Sequence, residues 1–478
     1  MRLSELAPEH FVAGTADPDI SGLTEDSRRI TAGMLFVAVP GTALDGHTYI
    51  SDALTRGAAA VVSERAVDSP RVAFLQVPSA RRALASMAAR FYGEPARSLE
   101  IVGFTGTFGK TSTSDILRQL LAAGGARPGV LGSLGARFGA FYDPGNGLTT
   151  PAPVELHRAL RGLKEAGASA AIMEVTSHAL RMGRVDGLRF AGGLIAAIMP
   201  GEHTDFHSTY DDYLAAKRLF LDYLRADALL AYDADNLPAK TLVASARVGR
   251  TIGFSLDGNP ADVCFTDVAT HAQGSAFNVR GERLQSALLG RGHLRNVALA
   301  VTYALGAGVG MDSVCNVLQT LQPLRRRMET YSAGGRTVLD DTAAHPDSFR
   351  AAFDVAALIP HQCIAVVYAI RGNRGADING RNARAIADLT TRYGMNTVIV
   401  TAASDCAGRA DQAHEDEIAA TRAALDADGR GYLWHDSLSD ALAEAASRTR
   451  RGDLLLLLGA QGMNEGKRLL EEKLTADS

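Results

Sequence analysis

The chain has 478 residues, too many for one ordinary hydrophobic core, and this length predicts two to four domains. A formal net charge of −4, with no block of Lys and Arg interleaved with aromatics, excludes a generally nucleic-acid-binding surface. No apolar run reaches the ~18 residues of a membrane span, and the amino terminus lacks a signal-peptide stretch. We therefore expect a cytoplasmic protein with no nucleic-acid or membrane partner.

Short apolar runs alternate with amphipathic helical patterns, which is typical of parallel sheets with crossover helices. The first part of the chain contains predicted strands at 34–39 and 58–63 and predicted helices at 49–56 and 79–92. The middle part contains predicted strands at 101–104, 168–174 and 193–199 and predicted helices at 112–122, 210–224 and 296–306. The last part contains predicted strands at 336–340, 363–368, 397–401 and 453–459 and predicted helices at 379–392 and 414–426. Composition breaks between these parts predict three α/β domains, at 1–97, 98–329 and 330–478.

A glycine-bearing loop joins the first strand of the middle part to its helix. Residues 103–112 read Gly-Phe-Thr-Gly-Thr-Phe-Gly-Lys-Thr-Ser. Glycines let backbone N–H groups turn inward and hold phosphates at a helix N-terminus. Lys110 is then expected at the β- and γ-phosphates and the Thr111 hydroxyl at Mg²⁺. Phe104 occupies the first-glycine position of the strict GxxxxGK[ST] pattern, and the alternative is a glycine-rich turn that happens to carry a lysine.

Two polar clusters follow the next predicted strands. Glu174 ends one strand, and residues 202–207, Glu-His-Thr-Asp-Phe-His, follow another. Because ligands of α/β sheets gather at the carboxyl ends of strands, we expect Glu174 and His203 beside the phosphates. A carboxylate and an imidazole suit Mg²⁺ or Mn²⁺, although a single Glu or His is more often a surface or satisfied core residue. From spacing alone, Lys217 is an ordinary lysine on an amphipathic helix.

Together these segments resemble the Mur ligase family. Residues 105–112 resemble its phosphate loop, with Phe108 where Asn is common. Residues 174–180 are similar to the Glu-Val-Ser-Ser-His-Ala-Leu motif of MurE-type ligases, and residues 202–207 are similar to their Asp-His-Leu-Asp-Tyr-His stretch. An Ala-Ala-Lys sequence follows at the family interval. The resemblance implies that Lys217 is carbamylated and ligates magnesium, and that Glu174 and His203 ligate the second metal.

The resemblance also implies a fold and a set of contacts. The expected fold is a central P-loop ATPase domain with a parallel sheet, flanked by an N-terminal α/β substrate domain and a C-terminal Rossmann-like domain. Expected catalytic residues are Lys110, Glu174, His203 and Lys217, and expected metal ligands are Thr111, Glu174, His203 and Lys217. Expected nucleotide contacts are Gly106, Thr107, Gly109, Lys110, Thr111, Ser112, Asn296, Arg327, Asp341 and His345. Expected substrate contacts are Ser27, Arg28, Asp45, His47, Thr149, Thr150, Ser177, Arg184 and Arg374, the last at a phosphate.

The implied reaction is ATP-dependent ligation of a carboxylate to an amine through an acyl phosphate, with release of ADP and phosphate. The carboxylate would be a UDP-muramyl peptide, and the enzyme a monomer or weak dimer. Three segments depart from the family: Ala344 replaces a His, residues 402–406 replace an Asp-Asn-Pro-Arg-like motif, and residues 459–464 replace Gly-Lys-Gly-His-Glu. The last two predict a changed amine. The alternatives are a Mur-ligase-like enzyme of specialised-metabolite or poly-amino-acid synthesis, and a nucleotide-binding pseudoenzyme scaffold, which Phe108 and Ala344 favour.

Overall fold

The computed structural model describes residues 1–12, 14–41, 44–67, 72–200, 206–395, 397–409, 411–429 and 431–476. Its contacts divide the chain into two compact units. The first comprises Met1–Pro200, Phe206–Val263 and Ala298–Val314, and the second comprises Cys264–Val297 and the chain from Cys315 onward. The domain boundaries after residues 97 and 329 stay predictions. Within the described ranges, no helix is both long and apolar enough to cross a membrane.

A small parallel sheet opens the first unit. Its strands, in spatial order, are β1 (Leu23–Thr24), β2 (Leu35–Ala38), β3 (Ala60–Ser63) and β4 (Ala73–Gln76). Its helices are α1 (Leu3–Leu6), α2 (Ile50–Thr55) and α3 (Ala80–Phe91). Every residue of β2 and β3 is buried, because α3 packs on one face and α2 on the other. The Ser79 hydroxyl accepts the Arg82 N–H and so sets the start of α3.

The central sheet of the first unit is larger. Its strands are β5 (Glu100–Thr105), β6 (Pro128–Gly132), β7 (Gly135–Phe138), β8 (Phe141–Asp143), β9 (Ala170–Glu174), β10 (Phe190–Ile195), β11 (Leu224–Asp233) and β12 (Arg250–Ser255). They lie in the order β12-β11-β10-β5-β9-β6-β7-β8, parallel from β12 to β6 and antiparallel in the β6-β7-β8 hairpins. Its helices are α4 (Lys110–Ala123), α5 (Pro153–Glu165), α6 (Ser177–Arg181), α7 (Tyr210–Arg218) and α8 (Leu237–Val243).

Two predicted elements here run several residues past the carboxyl end of the observed element. The predicted strand at 193–199 is β10, which ends at Ile195. Beyond that residue the apolar run lies along the phosphate loop, where the Ala197 carbonyl accepts the Thr107 N–H at 2.9 Å. The predicted helix at 210–224 ends at Arg218 and continues as the 3-10 turn Leu219–Tyr223.

Helices α9 (Gly290–Gly306) and α10 (Met311–Thr320) come later in the chain.

The second unit holds an antiparallel ribbon and a Rossmann-like sheet. The ribbon consists of β13 (Val263–His271), β14 (Gly274–Val279) and β15 (Glu282–Ser286). The sheet contains β16 (Glu329–Ala333), β17 (Arg336–Asp341), β18 (Ile364–Ala369), β19 (Thr397–Thr401), β20 (Leu433–His435) and β21 (Leu454–Leu458), in the order β16-β17-β21-β18-β19-β20, with only the β16 pairing antiparallel. Its helices are α11 (Pro346–Leu358), α12 (Ala376–Arg392), α13 (Glu415–Ala427), α14 (Leu438–Arg448) and α15 (Gly466–Ala476).

Helices pack on both faces of the sheet of the second unit, and the five leucines of β21 explain why. All five are fully buried. Leu454, Leu456 and Leu458 pack in a core with α11 and α12, while Leu455 and Leu457 pack against α14 and α15. Because side chains alternate between the faces of a strand, an all-apolar strand requires helices on both faces.

Candidate active site

Three neighbouring strands of the central sheet end at one edge. The register pairs Phe104 of β5 with Glu174 of β9, and Thr105 of β5 with Ile195 of β10. The phosphate loop after β5 therefore lies between the ends of β9 and β10, where α/β sheets bind their ligands. Glu174 ends β9, as its sequence context predicted.

The phosphate loop has a backbone that only glycine adopts readily. Gly106 has φ +152°, and a Cβ there would lie 2.7 Å from the Ala196 Cβ. Gly109, with φ +79°, is the N-cap of α4 and offers no side chain to cap it. The first N–H groups of α4 have no acceptor within the helix, which suits them to an anion. Lys110 begins this helix, and its Nζ donates to the carbonyls of Gly106 and Thr107, both at 3.0 Å.

Glu174 gathers hydroxyl groups around its carboxylate. It is 1% exposed, and its Oε2 accepts the Thr111 hydroxyl at 3.1 Å. The Ser133 N–H donates to Oε1 at 3.1 Å and the Ser133 hydroxyl to Oε2 at 3.3 Å. The Thr149 hydroxyl lies 2.9 Å from that of Ser133. One carboxylate and three hydroxyls form the oxygen-rich set that a hard cation such as Mg²⁺ prefers.

No group of three or more His, Cys, Asp or Glu side chains that could hold a metal occurs in the described ranges. Among the described residues, the hydroxyls of Thr111 and Ser133 lie close enough to Glu174 to ligate the same cation. His203 lies outside the described residues.

Lys217 reaches the phosphate loop from α7. The side chain is 1% exposed, and its Nζ donates to the Thr105 hydroxyl at 3.0 Å and to the Gly106 carbonyl at 2.9 Å. The same Nζ lies 5.3 Å from the centre of the Tyr213 ring. Tyr213 also anchors the loop, because its hydroxyl lies 2.9 Å from that of Thr107. Helical spacing alone did not distinguish this buried lysine from a solvated one, whereas the family resemblance did.

The expected substrate contacts after β8 and β9 are linked to one another. The Thr150 hydroxyl donates to the Glu174 carbonyl at 3.0 Å and accepts the Thr176 N–H at the same distance. The Arg184 guanidinium donates to the Thr150 carbonyl at 2.9 Å, and burial, together with nearby Arg81, lowers the pKa of Arg184. Ser177 begins α6 and is fully buried, and its hydroxyl has no hydrogen-bond partner within the described part of the chain.

The expected contacts in the first sheet occupy two turns. Arg28 is bound by Asp26 in the turn that follows β1, where Ser27 is buried. Asp45, after β2, accepts from the Nδ1 of His47 at 2.7 Å. Because β1 and β2 are parallel neighbours, both turns follow the same edge of the sheet.

The remaining expected contacts lie in the second unit. Asp341 ends β17 and accepts the Met328 N–H at 2.8 Å; burial raises the pKa of its carboxyl, and Arg327 opposes that shift. Arg327 itself donates to the Thr342 hydroxyl. His345 is the N-cap of α11, and Arg374 lies in the loop between β18 and α12. Asn296 is a half-buried residue of α9.

Three family models match the chain in sequence order. They are the Mur ligase family catalytic domain at residues 19–92, the Mur ligase middle domain at 104–304 and the Mur ligase glutamate ligase domain at 326–461. A UDP-N-acetylmuramoyl-L-alanyl-D-glutamate–2,6-diaminopimelate ligase of Chlorobaculum tepidum is 33% identical over 92% of this chain and 87% of its own length. The ligase of the same name from Bacillus licheniformis is 30% identical over 94% of this chain and 91% of its own length.

The chain belongs to the Mur ligase family. This membership confirms the predicted three-domain α/β fold class and the reaction class, an ATP-dependent, ADP-forming acid–amino-acid ligase. Solved structures share the fold. A diaminopimelate ligase has TM-score 0.67 and 22% identity, and the match covers 100% of this chain and 99% of that ligase. A MurF ligase of Thermotoga maritima in complex with ADP has TM-score 0.64 and 20% identity, covering 95% and 98%.

Sequence reasoning missed Ser133 in this Mur ligase. The residue lies between Gly132, at the end of β6, and the β7 strand. A Cβ at Gly132 would lie 2.0 Å from the Glu174 Oε1, so only glycine lets the carboxylate approach this turn. A small polar residue beside a glycine at a strand end was the local signal that could have identified it.

Two loops that depart from the family serve the fold of the second unit. A Cβ at Gly462 would lie 3.1 Å from the Ala403 Cβ, so the loops after β19 and β21 are in direct contact. The Asp405 carboxylate accepts two N–H groups at the start of α14. Buried Arg326 pairs with Asp340 at 3.0 Å and donates to the Ala460 carbonyl at 2.7 Å. The Asp405 carboxylate and the Ala460 carbonyl are therefore used in contacts within the protein. The changed amine stays a prediction.

Proposed function

We propose that this Mur ligase forms an amide bond between an amine and a carboxylate of UDP-N-acetylmuramoyl-L-alanyl-D-glutamate. The observation that carries the proposal is the convergence of Lys110, Glu174 and Lys217 at one edge of the central sheet. Curated relatives named as ligases of that muramyl dipeptide match almost the whole chain and support the choice of carboxylate.

The chemistry proceeds through an acyl phosphate. A carboxylate oxygen attacks the γ-phosphorus of ATP, and ADP leaves. The amine nitrogen then attacks the acyl carbon, the bond from that carbon to the phosphate oxygen breaks, and the amine loses a proton as phosphate departs. Lys110 and the N-terminus of α4 stabilise the charge on the transferring group.

The residues around Glu174 fit a magnesium ion. Thr111, Ser133 and Glu174 would hold it through oxygen atoms, and the ion would supply positive charge for the nucleotide phosphates. His203 is part of this proposal from the family resemblance alone.

Lys217 is proposed to act in its carbamylated form. Its Nζ is buried within hydrogen-bond distance of the phosphate loop, where an added carboxylate group would present oxygen atoms to a second cation. This role requires CO₂ and a neutral amine in the protein before modification.

Substrate residues are proposed in both units. The uridine nucleotide would be bound by Ser27, Arg28, Asp45 and His47. The muramyl part would be bound by Thr149, Thr150, Ser177 and Arg184. The nucleotide of ATP would be contacted by Asn296, Arg327, Asp341 and His345. Arg374 would contact a phosphate. The enzyme is proposed to work in the cytoplasm as a monomer or weak dimer, with an amine other than the usual diamino acid.

An acceptor panel tests this proposal. The purified protein is given ATP, Mg²⁺ and UDP-N-acetylmuramoyl-L-alanyl-D-glutamate with each of a set of amino acids and amines, and phosphate release and product mass are measured. Unrelated carboxylates serve as controls. We expect amine-dependent phosphate release with the muramyl dipeptide and a product whose mass equals that of dipeptide plus amine minus water.

Absence of stimulation by the muramyl dipeptide with every amine would refute the cell-wall assignment. Activity with another carboxylate would then favour recruitment to a specialised metabolite or a poly-amino-acid polymer. No turnover with any pair would favour the pseudoenzyme scaffold.

A further inference from the structure

Glu417 binds the loop that follows β18. This residue lies in the first turn of α13 and is 1% exposed. Its Oε1 accepts the N–H groups of Arg374 and Gly375, both at 2.7 Å. Its Oε2 accepts the N–H groups of Asn373 at 3.1 Å and His414 at 2.9 Å. One buried carboxylate therefore receives three consecutive N–H groups of the loop and one from its own helix start.

Three successive N–H groups that point to one centre form an anion-binding concavity. Asn373 has φ +57° and Gly375 φ +89°, and these left-handed residues turn their N–H groups inward. In many proteins such a concavity receives a ligand's phosphate, but here the carboxylate of Glu417 fills it. The N–H groups of residues 373–375 therefore bind an internal anion and are not open to a ligand's phosphate.

Asn379 of α12 ties the same loop a second time. It is fully buried, and its Nδ2 donates to the Arg371 carbonyl at 2.9 Å and to the Glu417 Oε1 at 3.2 Å. Burial acts to raise the pKa of Glu417. The hydrogen bonds from the N–H groups of His414, Arg374, Gly375 and Asn373 together lower this pKa by more than burial raises it, so the net shift is downward. The anion is thus the form that the loop requires, and its loss would leave several buried N–H groups without an acceptor.

We infer that Glu417 is a positioning residue, which fixes the backbone of residues 373–375 so that Arg374 is presented to the substrate in one conformation. The part of this inference that concerns substrate rests on the proposed function, in which Arg374 contacts a phosphate. The part that concerns the loop rests on the hydrogen bonds alone.

Amide hydrogen exchange tests the loop directly, with the whole ligand-free protein. Glu417→Gln keeps the size of the side chain but places an amide NH₂ among N–H donors. We expect the amides of residues 373–375 to exchange at least about tenfold faster in this variant, as the loss of a charged acceptor implies. Glu415→Gln is the matched control, since it removes the same charge from an exposed residue of the same helical turn and should leave exchange unchanged.

Unchanged exchange in Glu417→Gln would overturn the inference. If that variant does not fold, Glu417→Asp is measured instead, because it keeps the anion but shortens its reach, and faster exchange confined to residues 373–375 is again expected. Equal acceleration throughout the C-terminal sheet would show a general loss of stability and would also overturn it.

A double-mutant cycle then separates positioning from general damage. We expect Glu417→Gln to lower kcat/KM about tenfold and to add no further loss to Arg374→Ala. Additive losses would contradict action through Arg374. Failure of the proposed function would appear differently, as a wild-type enzyme that does not turn over the muramyl dipeptide while the exchange result still holds.

Discussion

At the scale of single residues, charged side chains of this Mur ligase are distinguished by what surrounds them. Lys217 is 1% exposed and ends 2.9 Å from the Gly106 carbonyl, while its neighbour Arg218 is exposed. Both are charged residues of the same short amphipathic helix, and residue type does not separate them. Burial against the phosphate loop separates Lys217 from Arg218, because an amino group is taken out of water only where specific acceptors receive it.

Replacement of Lys217 tests its proposed carbamylation. Lys217→Ala should lower amine-dependent ADP formation on the order of 10³-fold, since it removes a group that stabilises charge in the transferring phosphoryl region. Short-chain carboxylic acids should restore part of the activity by supplying the missing carboxylate. Phosphate release measured with and without added acid checks this, with Arg218→Ala as the control. A loss that no acid restores would count against the carbamylated form.

At the scale of elements, α5 carries a histidine in an apolar setting. His157 is 2% exposed, and neither ring nitrogen has a hydrogen-bond partner in the described ranges of the chain. Burial lowers the pKa of this imidazole from 6.5 to about 4. Two residues earlier on the same helix, Glu155 binds Arg29, which lies in the turn after β1 of the first sheet, at 2.5 Å. The helix therefore joins the first sheet to the central one while keeping one side chain neutral.

The position of His157 predicts an acid sensitivity. The folded protein holds it neutral, so its contribution to stability is fully present above the unfolded pKa of 6.5 and is lost as the pH falls towards about 4. The span corresponds to about 3 kcal/mol at most. His157→Leu should therefore flatten the fall of the unfolding midpoint between neutral and acid pH. The midpoints of this variant, wild type and the exposed-residue control His271→Gln are compared, and parallel curves for all three would contradict the prediction.

Local signals explain which elements were predictable. The strand at 397–401 was predicted with the bounds of β19, and the Ser79 cap marked the start of α3. The ribbon β13–β15 was missed, because alternating and charged residues gave no apolar run. The loop around Lys110 was predictable because its glycines and lysine are adjacent. Two contacts were not predictable, those of Ser133 with Glu174 and of Glu417 with residues 373–375, because each joins residues about forty positions apart.

At the scale of the whole molecule, three mainly parallel sheets each present polar residues after the carboxyl ends of their strands. In the first unit these are the turns after β1 and β2 and the loop with Lys110 and Glu174. In the second unit they are Asp341 after β17 and the loop held by Glu417 after β18. Each sheet therefore has polar residues at the edge that α/β proteins use to bind ligands.

The acyl phosphate itself can be detected by isotope transfer. The reacting carboxylate of UDP-N-acetylmuramoyl-L-alanyl-D-glutamate is labelled with heavy oxygen, and the enzyme turns it over with ATP and the amine identified in the panel. If a carboxylate oxygen attacks the γ-phosphorus and leaves with the phosphate, the released phosphate carries one labelled oxygen per turnover. Mass spectrometry of that phosphate is the measurement. Phosphate that contains no label, while amide product accumulates, would contradict the acyl-phosphate mechanism.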